Sequence, residues 1–266
     1  MQERVTKGII TASYNNDGKK GPIRDKVMSQ IEKEKRKGYK FFNHLILRDT
    51  EKHRVTKFNF LSCGIPIIDF VMFNAAKTSL ERIAVVGDEI TKFNVEAFRD
   101  YFKDDRFEYV DEGSADEWSL SETLRKGNTQ INANGEISLV LMGDLPFAWN
   151  LEHLLTDPDI KDNDAILDLN TRMKVGLFFP RQYHFKIKHR RGNFLAKEPN
   201  LYLMDVEKFL PIADLIYSGR KTNMNEGRRT MFERLFINDG KWLDTLRGLG
   251  KIYAAEMAFN LAAGRK

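Results

Sequence analysis

The chain has 266 residues, 42% hydrophobic and 11% aromatic, enough to bury a sizeable core in one large domain or two small ones. No apolar run approaches the ~20 residues of a membrane-spanning helix, and the N-terminus lacks the apolar segment of a secretory signal, so a soluble, cytoplasmic protein with no membrane partner is expected. A single cysteine, Cys63, excludes an internal disulfide and any cysteine-rich zinc site.

The formal charge of +5 is not spread evenly. Residues 1–40 hold 11 Lys+Arg against 5 Asp+Glu, which leaves 32 against 33 for the rest. Within this stretch "KKGPIRDKVMSQIEKEKRKGYK" has helical periodicity at Val27 and Ile31 and little else apolar. The first 43 residues are therefore expected to be a basic arm, a solvated helix or one that docks a protein partner or a second copy. No aromatic residues interleave with the charge, so specific nucleic-acid binding is not expected.

From residue 44 short apolar runs alternate with helical stretches. "HLILR" (44–48) is expected to be a strand, and residues 65–79 a helix with Ile68, Val71, Met72 and Ala75 on one face. "RIAVVGD" (82–88) is the next strand, followed by a helix near 94–104 and a strand at "FEYVD" (107–111). Ser119 opens a further helix, with Glu122 completing a capping box. "ISLVLMGD" (137–144) follows as a buried strand. Such alternation predicts an α/β fold with a mostly parallel sheet and helices on both faces, because parallel neighbours need long crossovers. Beyond residue 150, "YHFKIKH" and "NLYLMD" are expected to be two strands joined by a turn at Arg191 and Gly192. The pattern over 206–264 is helical. The domain division expected is thus an arm at 1–43, an α/β domain at 44–205 and a helical region at 206–266.

In "LVLMGDLPF" (139–147) a lone carboxylate, Asp144, stands where a buried strand ends. Ligands of open α/β sheets bind beyond the carboxyl ends of the strands, so Asp144 is the leading candidate for chemistry. Asp88, in a second strand-Gly-Asp run, reads better as a turn residue. "DPDIKDND" (157–164) lacks the glycine and closing glutamate of a calcium loop. Nothing supports nucleophilic catalysis, and neither a P-loop nor a Gly-x-Gly-x-x-Gly is present.

The ordered motifs over about residues 44 to 264 resemble the nucleotidyltransferase superfamily of the MobA and sugar-phosphate type. Its members use a Rossmann-like domain to join a nucleoside triphosphate to a phosphorylated acceptor. The resemblance implies that Asp144, after "LVLMG", holds Mg²⁺ against the nucleotide phosphates, with Gly143 beside it at the substrate. It gives Asn200, in "EPNLYLMD", as a second metal residue, although the glycines that precede it in the family are missing and a turn-capping asparagine is an equal alternative. The stretch "TKFNFLSCGIPIIDFVMFN" (56–74) resembles the family's lysine element followed by Gly-x-Pro and a helix. By that match Lys57 offsets phosphate charge as pyrophosphate leaves, and Arg181, after "FFP", meets the acceptor phosphate.

One motif departs from the family. Relatives carry a glycine-rich loop after the first strand, since backbone amides approach a triphosphate closely only where no Cβ intervenes. With 44–48 taken as that strand, the loop is "RDTEKHRV", in which Arg54 keeps the family's arginine position while Asp49, Thr50 and Lys52 replace glycines. Two functions follow. One is Mg²⁺-dependent transfer of a nucleoside monophosphate to an anionic acceptor with release of pyrophosphate. The other is a catalytically degenerate member serving as a scaffold or self-assembling subunit through residues 1–40.

Overall fold

The computed structural model describes residues 4–12, 22–37, 56–62, 64–113, 119–144, 151–157, 160, 165–167, 170–171, 185–189, 192–197 and 201–210. The chain divides into two compact units, one of Met1–Ile166 with Tyr202–Glu207, the other of Leu167–Leu201 with Lys208–Lys266.

The first unit is built on parallel strands, the central ones with apolar runs too continuous to leave a face in water. They are β1 (Lys7–Ala12), β4 (Arg82–Gly87), β5 (Phe107–Asp111) and β6 (Ile137–Met142). The pairs β1–β4, β1–β6 and β4–β5 are all parallel, with Ile9 opposite Ala84 on one side and Val140 on the other. With β7 (Ala165–Leu167) and β11 (Leu201–Asp205) they form a six-stranded sheet in the order β5-β4-β1-β6-β11-β7. Consecutive residues point to opposite faces, and Ile9 and Ile10 are both fully buried, so both faces of β1 are covered. The expected α/β sheet flanked by helices is the architecture found.

Its centre is not where the composition pointed. Residues 7–12 form the strand between β4 and β6, so the supposed arm at 1–43 supplies the middle of the sheet. Nor is helix α1 (Pro22–Lys37) solvated all round. Val27 and Ile31 are buried with Ile90, with Met28, Phe60, Leu61 and Ala97 packed around them. The Gln30 amide joins α1 to the edge of the short strand β2 (Leu61–Ser62): the Leu61 N–H donates to its Oε1 at 2.9 Å. Two apolar side chains per helix face suffice because each contributes about 1.5–3 kcal/mol when fully buried. The strand expected at 44–48 lies outside the described residues.

The helices follow their sequence signals closely. After the short strand β3 (Ile65–Pro66), α2 (Ile67–Ala76) buries Ile68, Val71, Met72 and Ala75, the four residues whose spacing predicted it. Helix α3 (Glu89–Phe102) begins earlier than expected because Asp88 caps it, accepting from the Thr91 N–H at 3.0 Å. Helix α4 (Leu120–Ile131) opens on Ser119, whose hydroxyl accepts from the Glu122 N–H at 3.1 Å, while the Glu122 carboxylate turns to Arg125. Gly127 lets α4 lie close to the sheet: a Cβ there would fall 2.8 Å from Ile9 Cγ2 and 3.0 Å from Val86 Cγ2. A single-turn helix, α5 (Leu151–Leu154), follows β6.

Arg106 closes the far end of α2. Its guanidinium donates to the carbonyls of Ala76, Thr78 and Leu80 at 2.7–2.8 Å and is held by the Asp104 carboxylate, which that contact keeps below the usual carboxylate range. Arg106→Ala leaves part-buried carbonyls without donors and should cost about 2–3 kcal/mol. Arg106→Lys should recover less than half of that, since an ammonium cannot span three acceptors and a carboxylate in one plane. Urea unfolding of both variants is the check, and equal midpoints for Lys and wild type would refute the account.

In the second unit β9 (Phe185–His189) pairs antiparallel with β10 (Gly192–Lys197), Gly192 opposite His189, and β10 pairs with β8 (Asn170–Thr171). This corrects the expected hairpin. Gly192 pairs with His189, but the returning strand is "GNFLAK", and "LYLMD" belongs to the six-stranded sheet as β11. The helical pattern over 211–264 lies outside the described residues.

Candidate functional site

Chain order and sheet order together single out one crevice. From β1 the chain steps to β4 and outward to β5, then returns to place β6 on the other side of β1. Connections therefore leave the carboxyl ends of β1 and β6 in opposite directions, the switch point at which open α/β sheets bind ligands. Asp144 stands two residues beyond β6 at that point.

Its backbone is fixed from both sides. The Gly143 N–H donates to the Thr11 carbonyl at 2.9 Å, extending the β1–β6 ladder by one bond, and the Thr11 hydroxyl contacts Met142 Sδ at 3.0 Å. Gly143 is buried, and a Cβ there would lie 2.8 Å from Ile68 Cδ1, 3.1 Å from the Thr11 carbonyl and 3.2 Å from Phe58 Cδ1. The glycine thus lets two neighbouring elements close over the strand end.

One of these is a single 3₁₀ turn at Lys57–Asn59. Thr56 and Asn59 cap it reciprocally: the Phe58 N–H donates to Thr56 Oγ1 at 3.3 Å and the Thr56 N–H to Asn59 Oδ1 at 2.9 Å. Phe58 is 6% exposed and anchors the turn, which turns Lys57 outward to Asp144. The Lys57 ammonium donates to Asp144 Oδ2, across 87 positions of sequence, and lies 5.1 Å from the Phe58 ring centroid. Asp144 Oδ1 is buried and has no hydrogen-bond partner.

Two of the expected site residues, Lys57 and Asp144, are therefore brought into contact, with Gly143 buried beneath them. Arg54, Arg181 and Asn200 lie outside the described residues. A carboxylate with one oxygen left unpartnered fits Mg²⁺, which commonly takes one or two protein carboxylates and fills its shell with water and phosphate oxygens. Among the described residues no cluster of three or more His, Cys, Asp or Glu side chains is available to any metal.

The other end of the same sheet edge is acidic. Asp88, Glu89, Asp111 and Glu112 gather beyond β4 and β5, and with burial they push the Tyr109 hydroxyl well above its usual range. That hydroxyl donates to the Gly87 carbonyl at 3.2 Å. A polyanion is repelled from this side and left with the β1–β6 side. Asp88, offered by its motif as a second carboxylate, is the cap of α3.

The element missed in the sequence is β1, and with it the segment leaving its carboxyl end, "SYNNDGKKG" (13–21). The signal was present as "GIITA", a continuous apolar run followed by Asn, Asp and Gly. Asp69 on α2 is 5% exposed, neither of its oxygens has a hydrogen-bond partner, and burial pushes its carboxyl up to about 8.

No protein-family model matches the chain, and neither does any curated protein. Solved structures similar to it include 4-diphosphocytidyl-2C-methyl-D-erythritol synthase from Anaerococcus prevotii, at 12% identity and a TM-score of 0.46, covering 86% of this chain and 82% of that one. A hypothetical transferase from Thermus thermophilus is similar at 18% identity and a TM-score of 0.47, covering 87% and 77%. The inositol-1-phosphate CTP transferase from T. maritima is similar at 14% identity and a TM-score of 0.47, covering 79% and 74%.

Proposed function

We propose that the chain is a nucleotidyltransferase that moves a nucleoside monophosphate from a nucleoside triphosphate to a phosphorylated acceptor and releases pyrophosphate. One observation carries this reading: at the sheet's switch point a carboxylate with one buried, unpartnered oxygen is paired through its other oxygen with a lysine that a capped turn delivers from a distant part of the chain. Bound there, Mg²⁺ would supply charge neutralisation for the triphosphate. Asp144 is the residue to hold it. Lys57, half exposed and within reach of the same crevice, would balance the charge that gathers on the leaving pyrophosphate. The attacking group is the acceptor's own phosphate, so no protein nucleophile is needed. The resemblance alone assigns Asn200 to the metal, Arg54 to the nucleotide phosphates and Arg181 to the acceptor.

The position of β1 strengthens the enzyme reading over the scaffold one. Part of the case for degeneracy is the glycines missing after a first strand at 44–48, whereas the strand beside β6 is β1, and "SYNNDGKKG" after it in the sequence carries two glycines and two lysines. Truncating residues 1–40 would delete the middle of the sheet, so a scaffold role is better tested by charge reversals on exposed positions of α1.

Titrating the protein with each of the four ribonucleoside triphosphates plus Mg²⁺ in a calorimeter is the direct test. Saturable binding of at least one nucleotide is expected, lost on Asp144→Ala. If none binds at millimolar concentration, the proposal fails.

A further inference from the structure

The Lys57–Asp144 contact creates a conflict within the proposed site. The oxygen that accepts from the lysine belongs to the same carboxylate a divalent cation needs, and an ammonium beside that carboxylate repels the cation. Of the two side chains Lys57 is the more exposed, 52% against 25% for Asp144. Its backbone is fixed by the Thr56–Asn59 cap and buried Phe58, so only the four-carbon stem is free to swing. Asp144 is held by the Gly143–Thr11 bond, and its Oδ1 stays buried and unpartnered while Oδ2 is taken.

Resting on the nucleotidyltransferase reading, we propose that Lys57 is an exchangeable counter-ion that locks the empty site against free divalent cations. Without nucleotide its ammonium neutralises Asp144 and keeps the cation out. A polyphosphate entering the crevice offers several oxyanions within the lysine's swing, draws the ammonium away and frees Asp144. Metal and nucleotide therefore enter as a pair, and each raises the other's affinity by the same factor, as linkage requires.

Mn²⁺ binding followed by electron paramagnetic resonance tests this without any turnover. Free Mn²⁺ should bind wild type weakly, and Lys57→Met should bind it roughly 3- to 10-fold more tightly, the range set by removing one charge from a partly exposed pair. Lys57→Arg should stay close to wild type because the charge remains. Adding a non-hydrolysable triphosphate should tighten Mn²⁺ binding strongly in wild type and much less in Lys57→Met. Without nucleotide, Asp144→Asn should abolish binding of free Mn²⁺ in wild-type and Lys57→Met backgrounds alike. Equal free Mn²⁺ affinity in wild type and Lys57→Met, with the Asp144→Asn loss intact, overturns the lock and leaves the transferase reading standing. Mn²⁺ binding unaffected by Asp144→Asn overturns both. Lys57 is half exposed, so its variants should fold, and matched thermal melts confirm that they do.

Discussion

Asp69→Asn is expected to raise the melting temperature by about 10 °C at pH 8 and to leave it almost unchanged at pH 4. Asp69 sits in the first turn of α2 between Ile68 and the buried Val71 and Met72, with no donor to either oxygen. A carboxylate stripped of water in this way keeps its proton, and burial lifts it to about 8 from the model-peptide 3.8. The sign is opposite to that of a salt-bridged aspartate. Between these two values the folded chain binds a proton that the unfolded chain has lost, so stability falls by about 1.4 kcal/mol per pH unit as pH rises, levelling off above pH 8. By pH 7 the accumulated loss is of order 4 kcal/mol, an upper bound because the site can relax or admit water. Asparagine has nearly the same shape and no proton to lose. Denaturant midpoints of the two proteins from pH 4 to 9 should therefore diverge steadily up to pH 8. Parallel curves would show that Asp69 has a partner or water in solution.

Gly143→Val should both destabilise the sheet and weaken metal-nucleotide binding. The tip of Ile68 can yield to a new Cβ, but the Thr11 carbonyl at 3.1 Å cannot move without breaking the bond it accepts from Gly143. Overpacking of this kind costs about 1–3 kcal/mol, and the branched side chain places it at the upper end. Two functional groups shift together, since Asp144 follows Gly143 in the chain and Lys57 is carried by the turn that Phe58 anchors against it. A displacement near 1 Å at a binding constellation commonly costs about 100-fold. Gly143→Ala should show both effects at smaller size. A valine variant that loses stability yet binds Mg²⁺-nucleotide like wild type would separate Gly143 from the site.

Some of the protein was legible without coordinates. Periodicity identified α2 with its four buried residues, the capping serine identified the start of α4, continuous apolar runs identified β4 and β6, and the short segment "FEYVD" was read as the strand β5. These signals are local, because helix faces, caps and buried strands are written within a dozen residues. Asp144 was found the same way, as a charge at the end of a buried strand. Lys57 was found only through a resemblance, because its motif by itself describes an ordinary surface lysine.

The errors have one physical cause. Net charge over 40 residues is a sum, and it hid the six residues of β1 and the two apolar contacts of α1 behind their charged flanks. Taking "LYLMD" as the partner of β9 was a failure of the same kind, since strand pairing is non-local and "GNFLAK" competes for the same edge with a weaker pattern. From residue order alone, then, come the element types, the parallel α/β class and the acid at position 144. Only the tertiary structure decides that β1 lies between β4 and β6, that the switch in strand order falls beside Asp144, and that Lys57 reaches that acid. Strand order and contacts between distant residues depend on which surfaces exclude water together, and no window along the chain contains both sides of such a contact.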